Sequence, residues 1–245
     1  MMGLKTATAI VLRTIDYQES SKIITVLTES HGKFALMARG AKKPKGPFSG
    51  VVEAGNTLNI GFAYKSNRTV QDLRSADLVH SVSSLRRDFT TWLLLFQVLE
   101  RITALVHEHE KNTELFLLLQ QFLPWLIQQE EVPVHVLPYI QIRCMSCCGI
   151  DVQCELSEMA KQSYLHIPSG LLGEVSTQTG EKKFNVSQTK FLVTVLSSRS
   201  KDFLTIDLSK NELIELVQHL DAYFHYHIEG YNPQRSQQFF DLVVL

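Results

Sequence analysis

The spacing of apolar and polar positions changes period near residue 80. Before it, short runs rich in β-branched and aromatic residues are separated by Gly, Pro and polar turns: TAIVLRTI (8–15), KIITVLT (22–28), KFALMA (33–38), TLNIGFAY (57–64) and RTVQDL (68–73). Runs of this kind fit strands. In the first, Ile10 and Leu12 fall on one face and Arg13 on the other, which predicts a strand covered on one side. TESHGK, between the second and third runs, has the length of a hairpin loop, and Gly32 is free to take a positive φ there. Five short strands predict a small β-barrel, and strand counting alone admits either an OB-fold or an SH3-like barrel.

After residue 80 the period is helical. Trp92, Leu95, Phe96, Leu99, Ile102 and Val106 recur at helix spacing, as do Phe116, Leu119, Leu123, Leu126 and Ile127. Pro124 interrupts the second stripe and predicts a kink or a break. A third helix is expected from about Val134 to Cys148, with Gly149 as its stop. Residues 155–186 carry Gly170, Gly173, Gly180 and one short strand-like run, SYLHI, and read as irregular structure. Ser187 is positioned to cap a helix through Leu196, and Ser209 with Glu212 forms a capping box ahead of Leu213, Leu216, Val217, Leu220 and Phe224. The fold class is therefore α+β: a small N-terminal barrel over 1–80, then a mostly helical domain over 81–245 with an irregular insert around 150–186.

Composition admits one large core or two smaller ones, since the chain has 245 residues at 44% hydrophobic, and two domains are expected. No basic-then-apolar leader follows Met1, and the apolar stretch at Trp92–Phe96 soon meets Gln97 and Glu100, so a cytoplasmic protein with no membrane partner is expected. The net charge of −1 conceals an asymmetry. Residues 1–80 hold eleven Lys and Arg against six Asp and Glu, or +5, leaving thirteen against nineteen, or −6, for the remainder. The barrel is suited to phosphates and the helical part is not.

Catalytic and nucleotide motifs do not emerge. GAKKPKG lacks the spacing of a phosphate loop, and there is no His-Glu-x-x-His, Gly-x-Ser-x-Gly or dinucleotide-binding glycine pattern. HEHE (107–110) and HYH (225–227) set their histidines two apart, which on a helix points them in different directions and reads as solvated helix ends. All four cysteines fall within 144–154. Cys144 and Cys147 have zinc-knuckle spacing and Cys148, Cys154 or His166 could add ligands, yet only one knuckle is present, and Cys144, Cys147 and Cys148 share a helix face suited to packing. No cofactor and no bound metal are expected.

RGAKKPK (39–45) concentrates four cations in seven residues. It is either a solvated turn or part of a phosphate-binding surface, and its neighbours favour the second. Arg13, Lys22, Lys33, Lys65, Arg68 and Arg74 join Arg39, Lys42, Lys43 and Lys45 in the same small domain, with Phe34, Phe48, Phe62 and Tyr64 interleaved. Cations tracking phosphates beside aromatic rings that stack bases are how OB-folds hold single strands.

The segment IVLRTIDYQESSKIITVLTESHGKFALMARGAKKPKG (10–46) resembles the start of the bacterial DNA repair protein RecO family, with Tyr17, Glu19, Ser20, Thr28, Gly32, Arg39, Gly40, Lys42 and Lys43 in the family's order. LVQHLDAYFHYHIEGYNPQRSQQFF (216–240) is similar to its closing helix and Arg-Ser ending at Arg235 and Ser236. The resemblance implies an N-terminal OB-fold, a helical C-terminal domain, and binding of single- and double-stranded DNA without catalysis. It also implies a recombination mediator of the RecF-type pathway that anneals single strands. With RecR, such a mediator helps load the RecA recombinase on DNA coated by single-stranded DNA-binding protein, docking that protein's acidic tail on the helical domain. Arg86, Arg87, Arg143, Arg199, Lys201 and Arg235 are the cations available for such a tail. Many family members carry a two-knuckle zinc module, and here only Cys154 lies near where it would begin. Two other readings stay open on the residues alone: a protein-interaction adaptor that does not bind DNA, and a zinc-dependent binding module.

Overall fold

A computed structural model describes residues 3–157, 160–176, 179–197 and 201–232. The chain forms two compact units, Met1–Glu130 and Glu131–Leu245.

In the first unit β1 (Gly3–Tyr17), β2 (Ser21–Thr28), β3 (Gly32–Ala38), β4 (Thr57–Tyr64) and β5 (Val70–His80) close a barrel in the order β1-β2-β3-β5-β4. The expected α+β class and the five-stranded OB-type path are both present. β1 is long because it serves two neighbours: Gly3–Ile10 pairs with β4 and Ala9–Tyr17 with β2. A bulge between Val11 and Arg13 turns the strand from one partner to the other. β3 and β5 close the barrel through a short parallel pairing, Ala35–Met37 against Val70–Asp72.

The bulge segment departs from the expected one-sided strand. Ala9 and Val11 enter the barrel core, and Ile10 and Leu12, equally buried, face outward. Two helices cover that outer face: α1 (Phe89–Leu105) packs on β1, and α2 (Thr113–Ile127) packs on β1 and β2. Asp88 caps α1 by accepting from the Thr90 and Thr91 amides, and Asn112 caps α2 by accepting from Leu115. Pro124 does not break α2, which continues to Ile127. Phe96 is exposed, not part of the buried stripe, and packs edge-on against Trp92. No helix among the described residues is long and apolar enough to cross a membrane.

In the second unit α3 (Val136–Cys147) packs on α5 (Lys210–His227), with α4 (Val186–Ser197) against both. α3 ends as expected at Gly149, whose φ of 68° lets its amide reach Ser146 O while the Ile150 amide reaches Met145 O. The Ser209–Glu212 capping box of α5 is present. The cap of α4, however, is Asn185, whose side chain accepts from the Gln188 amide while the Gln188 side chain accepts from the Asn185 amide. The stretch expected to be irregular contains a four-stranded sheet in the order β6-β8-β7-β9, from β6 (Gln153–Cys154), β7 (Ser163–His166), β8 (Leu171–Gly173) and β9 (Lys182–Phe184). β7 lies in the strand-like run SYLHI, whereas the other three strands are two or three residues long, too short to display alternation in sequence.

Candidate nucleic-acid interface

The basic loop is a built structure. Leaving β3, the chain makes successive tight turns, with Lys43 N bonded to Gly40 O at 3.1 Å, Gly46 N to Lys43 O at 2.8 Å and Ser49 N to Gly46 O at 3.1 Å. A side chain at Gly46 would sit 2.0 Å from Gly40 O, so only glycine fits this wrap. Ala41, Phe48 and Val52 drop into the barrel core and fasten the loop to it. The β1–β2 turn holds its start: Lys42 N donates to Ser20 O at 3.0 Å, and Lys42 Nζ reaches Asp16 at 3.0 Å and Gln18 O at 3.4 Å. Lys43 and Lys45 are exposed, with no ion-pair partner among the described residues.

A second cationic loop lies next to it. Arg39, Arg68 and Arg74 converge on the carboxylate of Asp72 at 3.1, 3.1 and 3.9 Å. The hydrogen bond from Arg39 is the chief reason the Asp72 carboxyl sits below its ordinary range, with the fields of Arg39, Arg68 and Arg74 adding to it against the opposing effect of burial. Three guanidiniums around one carboxylate leave two positive charges over. The loop's shape comes from buried Gln71, which accepts from the Lys65 amide at 2.7 Å and donates to Lys65 O at 2.9 Å and Arg68 O at 2.6 Å. Both cationic loops are thus held in place before any ligand arrives, which lowers the ordering cost of binding.

The remaining expected contacts divide. Arg13 is exposed on β1, and Lys65 is half-buried at the loop base. Lys22 is engaged with Glu53 at 2.8 Å, and Arg86 approaches the same carboxylate at 3.6 Å. Lys33 does not reach the surface. It is 8% exposed, its Nζ donates to Thr103 O at 2.8 Å, and Glu108 lies 3.9 Å away. Burial pulls its pKa below the usual lysine value, only partly offset by Glu108 and Glu110. Lys33 therefore fastens the end of α1 to the barrel and is not available to phosphates.

Of the four aromatics, Phe34, Phe48 and Phe62 fill the barrel core and cannot stack bases over a full ring face. Phe34 and Phe62 meet each other at 4.9 Å between ring centres. Tyr64 is half-buried, with Lys5 Nζ 4.3 Å above its ring.

The cysteines do not assemble a ligand set. Cys144 is buried in α3, Cys147 and Cys148 are half-buried at its end, and Cys154 is exposed on β6. Among the described residues no group of three or more His, Cys, Asp or Glu side chains is placed to hold a metal ion.

The sequence matches the family described as Recombination protein O, its N-terminal part over residues 1–82 and its C-terminal part over residues 86–237. The chain belongs to this family. Proteins named DNA repair protein RecO resemble it over nearly their whole length in Exiguobacterium, at 28% identity over 95% of this chain and 92% of that protein, and in Chloroherpeton thalassium, at 27% over 96% and 97%. The Salinibacter ruber protein of the same name is 32% identical over 58% of this chain and 55% of its own length. The boundary between the two family parts falls just after β5, where the strand period gives way to helix.

Proposed function

We propose that this protein is a nonenzymatic, DNA-binding recombination mediator acting in DNA repair. It anneals single strands and, with RecR, helps load RecA on DNA coated by single-stranded DNA-binding protein in a RecF-type pathway. The observation that carries the DNA-binding part is the Arg39–Arg68–Arg74 cluster around one carboxylate, beside the fixed loop bearing Lys42, Lys43 and Lys45. Such a surface attracts phosphates through excess charge and has no base-reading element, which suits binding to any sequence. Arg13 and Lys65 extend it, and Lys33 is left out. The barrel, residues 1–80, is the DNA-binding domain in this reading. Annealing follows from the same charge, because neutralised strands can approach each other.

The helical part is proposed to receive the acidic tail of the single-stranded DNA-binding protein. Of the six candidate cations, Arg143 and Lys201 are described residues of the second compact unit. Arg86 and Arg87 belong to the barrel's compact unit, and Arg199 and Arg235 lie outside the described residues.

The test replaces Arg39, Lys42, Lys43 and Lys45 together with Gln and titrates single-stranded DNA at two salt concentrations. Affinity should fall similarly for every sequence, and the log–log salt slope should become shallower by at most about 3, at roughly 0.7 per lost phosphate contact. A folded variant with unchanged affinity and unchanged slope would overturn DNA binding through this loop and favour the adaptor reading.

A further inference from the structure

A cavity of about 310 Å³ opens beside the β2–β3 hairpin, within the barrel's own compact unit. Phe34 and Phe62 form its floor, and Lys5, Ser30, His31, Tyr64, His109 and Lys111 its walls. The hairpin and the α1–α2 connection are locked together to make it. β5 pairs with β3 only from Ala35 onward, so the backbone of Lys33 turns instead to the connection: His109 N donates to Lys33 O at 2.7 Å and Lys33 N donates to Glu110 O at 3.3 Å. His109 adopts a φ of 65° in this junction, an unusual backbone for a residue with a side chain.

The charge in this cavity is of one sign. Lys5 arrives from β1 and Lys111 from the connection, no carboxylate is among the lining groups, and among the described residues neither lysine has an ion-pair partner. His31 stands in the field of both ammoniums, and burial together with Lys5 and Lys111 holds its pKa below the ordinary imidazole value. Its Nδ1 is 2.7 Å from Ser30 Oγ, which orients the ring. Two ammoniums, an imidazole and a hydroxyl converging without an anion suit a ligand carrying close to two negative charges in one group. A phosphate monoester does, with a second pKa of about 6, whereas the diesters inside a strand carry one charge each. The half-buried rings of His31 and Tyr64 and the exposed His109 offer faces and edges to a planar base. The volume lies at the lower end of the roughly 300–1,000 Å³ usual for small-ligand sites, enough for one nucleotide and not for a run of them.

We propose that this cavity binds a nucleotide through its phosphate monoester, between Lys5 and Lys111, as either the phosphorylated end of a DNA strand or a free nucleoside monophosphate. The strand-end form rests on the DNA-binding reading above; the free-nucleotide form does not.

The full-length protein is titrated with four labelled single strands identical in sequence, carrying phosphate or hydroxyl at the 5′ or the 3′ end, and separately with deoxyadenosine monophosphate and deoxyadenosine. Each titration is repeated on Lys5→Gln/Lys111→Gln, with folding checked by thermal melting. If the source is a strand end, one phosphorylated end binds about fivefold or more tighter than its hydroxyl counterpart, as expected for charge-assisted contacts, and the preference disappears in the double variant. If the source is a free nucleotide, the monophosphate binds, deoxyadenosine does not, and the variant loses the difference. Phosphate giving no advantage in any pair, or an advantage that survives the double substitution, overturns the proposal. Tight binding of hydroxyl-ended strands with no end preference and no monophosphate binding removes the cavity while leaving the DNA surface. Monophosphate binding without any strand binding does the reverse.

Discussion

Lys33 and Arg39 stand at the two ends of β3, and the barrel uses their charges in opposite ways. At the first end, a helix terminus and its following connection lie over the strand, so the ammonium of Lys33 is enclosed and spends its hydrogen bond on a backbone carbonyl. At the other end the Arg39 side chain is open to solvent. Arg39 is 75% exposed at its side chain and shares Asp72 with two other arginines. Sequence proximity made the two cations look like members of one surface. What decides the use of a charge is the element that covers it, and that element can come from a distant part of the chain.

The largest effect is expected at the covered end. Gly32 has a φ of 68°, and a Cβ placed there would lie 2.0 Å from Glu110 O. Gly32→Ala therefore combines left-handed strain of about 1–2 kcal/mol with displacement of the backbone that anchors the α1–α2 connection. A total loss of about 3 kcal/mol or more is expected from denaturant midpoints at constant slope. A loss under about 1 kcal/mol would mean that this junction gives way freely and does not fix the connection.

Next comes Lys33 itself. Lys33→Ala should cost about 1–3 kcal/mol, because the Thr103 carbonyl loses its buried donor and the stem its packing. Lys33→Met keeps the stem and should cost less. The sharper readout is DNA: Lys33→Met should leave the salt slope of single-stranded DNA binding unchanged, since this ammonium is not offered to phosphate. A slope shallower by roughly 0.7, the value for one lost contact, would return Lys33 to the binding surface and erase the contrast between the two ends.

The same contrast explains what could be read beforehand. β2, β3 and β4 coincide with their β-branched runs because each is bounded by a turn and has its apolar side in the core. The extra length of β5, residues 74–80, is mostly exposed and carries no alternation to detect. Asn185 as the cap of α4 was legible, since Asn-x-x-Gln follows the same grammar as Ser209-x-x-Glu, but Ser187 two residues on offered an equally familiar signal. Phe34 and Phe62 could not be sorted into core or platform, because a barrel strand puts alternate residues on opposite faces and sequence does not say which face is inside. Gln71 and the cavity around His31 were illegible for another reason. Gln71 acts on the backbone of a loop that has no motif, and Lys5 meets Lys111 only because the chain returns to the hairpin after a whole helix.

The smallest effect concerns Asp72, at the open end. The Arg39 hydrogen bond, joined by the fields of the three arginines, lowers its pKa in the folded state. The sign follows from linkage: a carboxyl with a depressed folded pKa contributes stability that is present above its ordinary pKa and is lost as the pH falls through the lowered value. Asp72 is 15% exposed at its side chain, but its partners Arg39, Arg68 and Arg74 are 75%, 47% and 52% exposed, so water and salt screen the attraction. The contribution should be under about 1 kcal/mol and shrink further at high salt. Its diagnostic value exceeds its size. A strand whose phosphates approach this cluster draws the guanidiniums away from Asp72 and adds negative charge nearby, and both changes raise the carboxyl's pKa. Following the Asp72 carboxyl by NMR through an acid titration, with and without single-stranded DNA, should show an upward shift on binding, together with proton uptake at acid pH. Arg39→Gln should produce an upward shift without DNA. An Asp72 titration that DNA leaves unmoved, under conditions where the protein is saturated, would show that phosphates do not come to the three arginines, and the DNA surface would have to be sought elsewhere on the barrel.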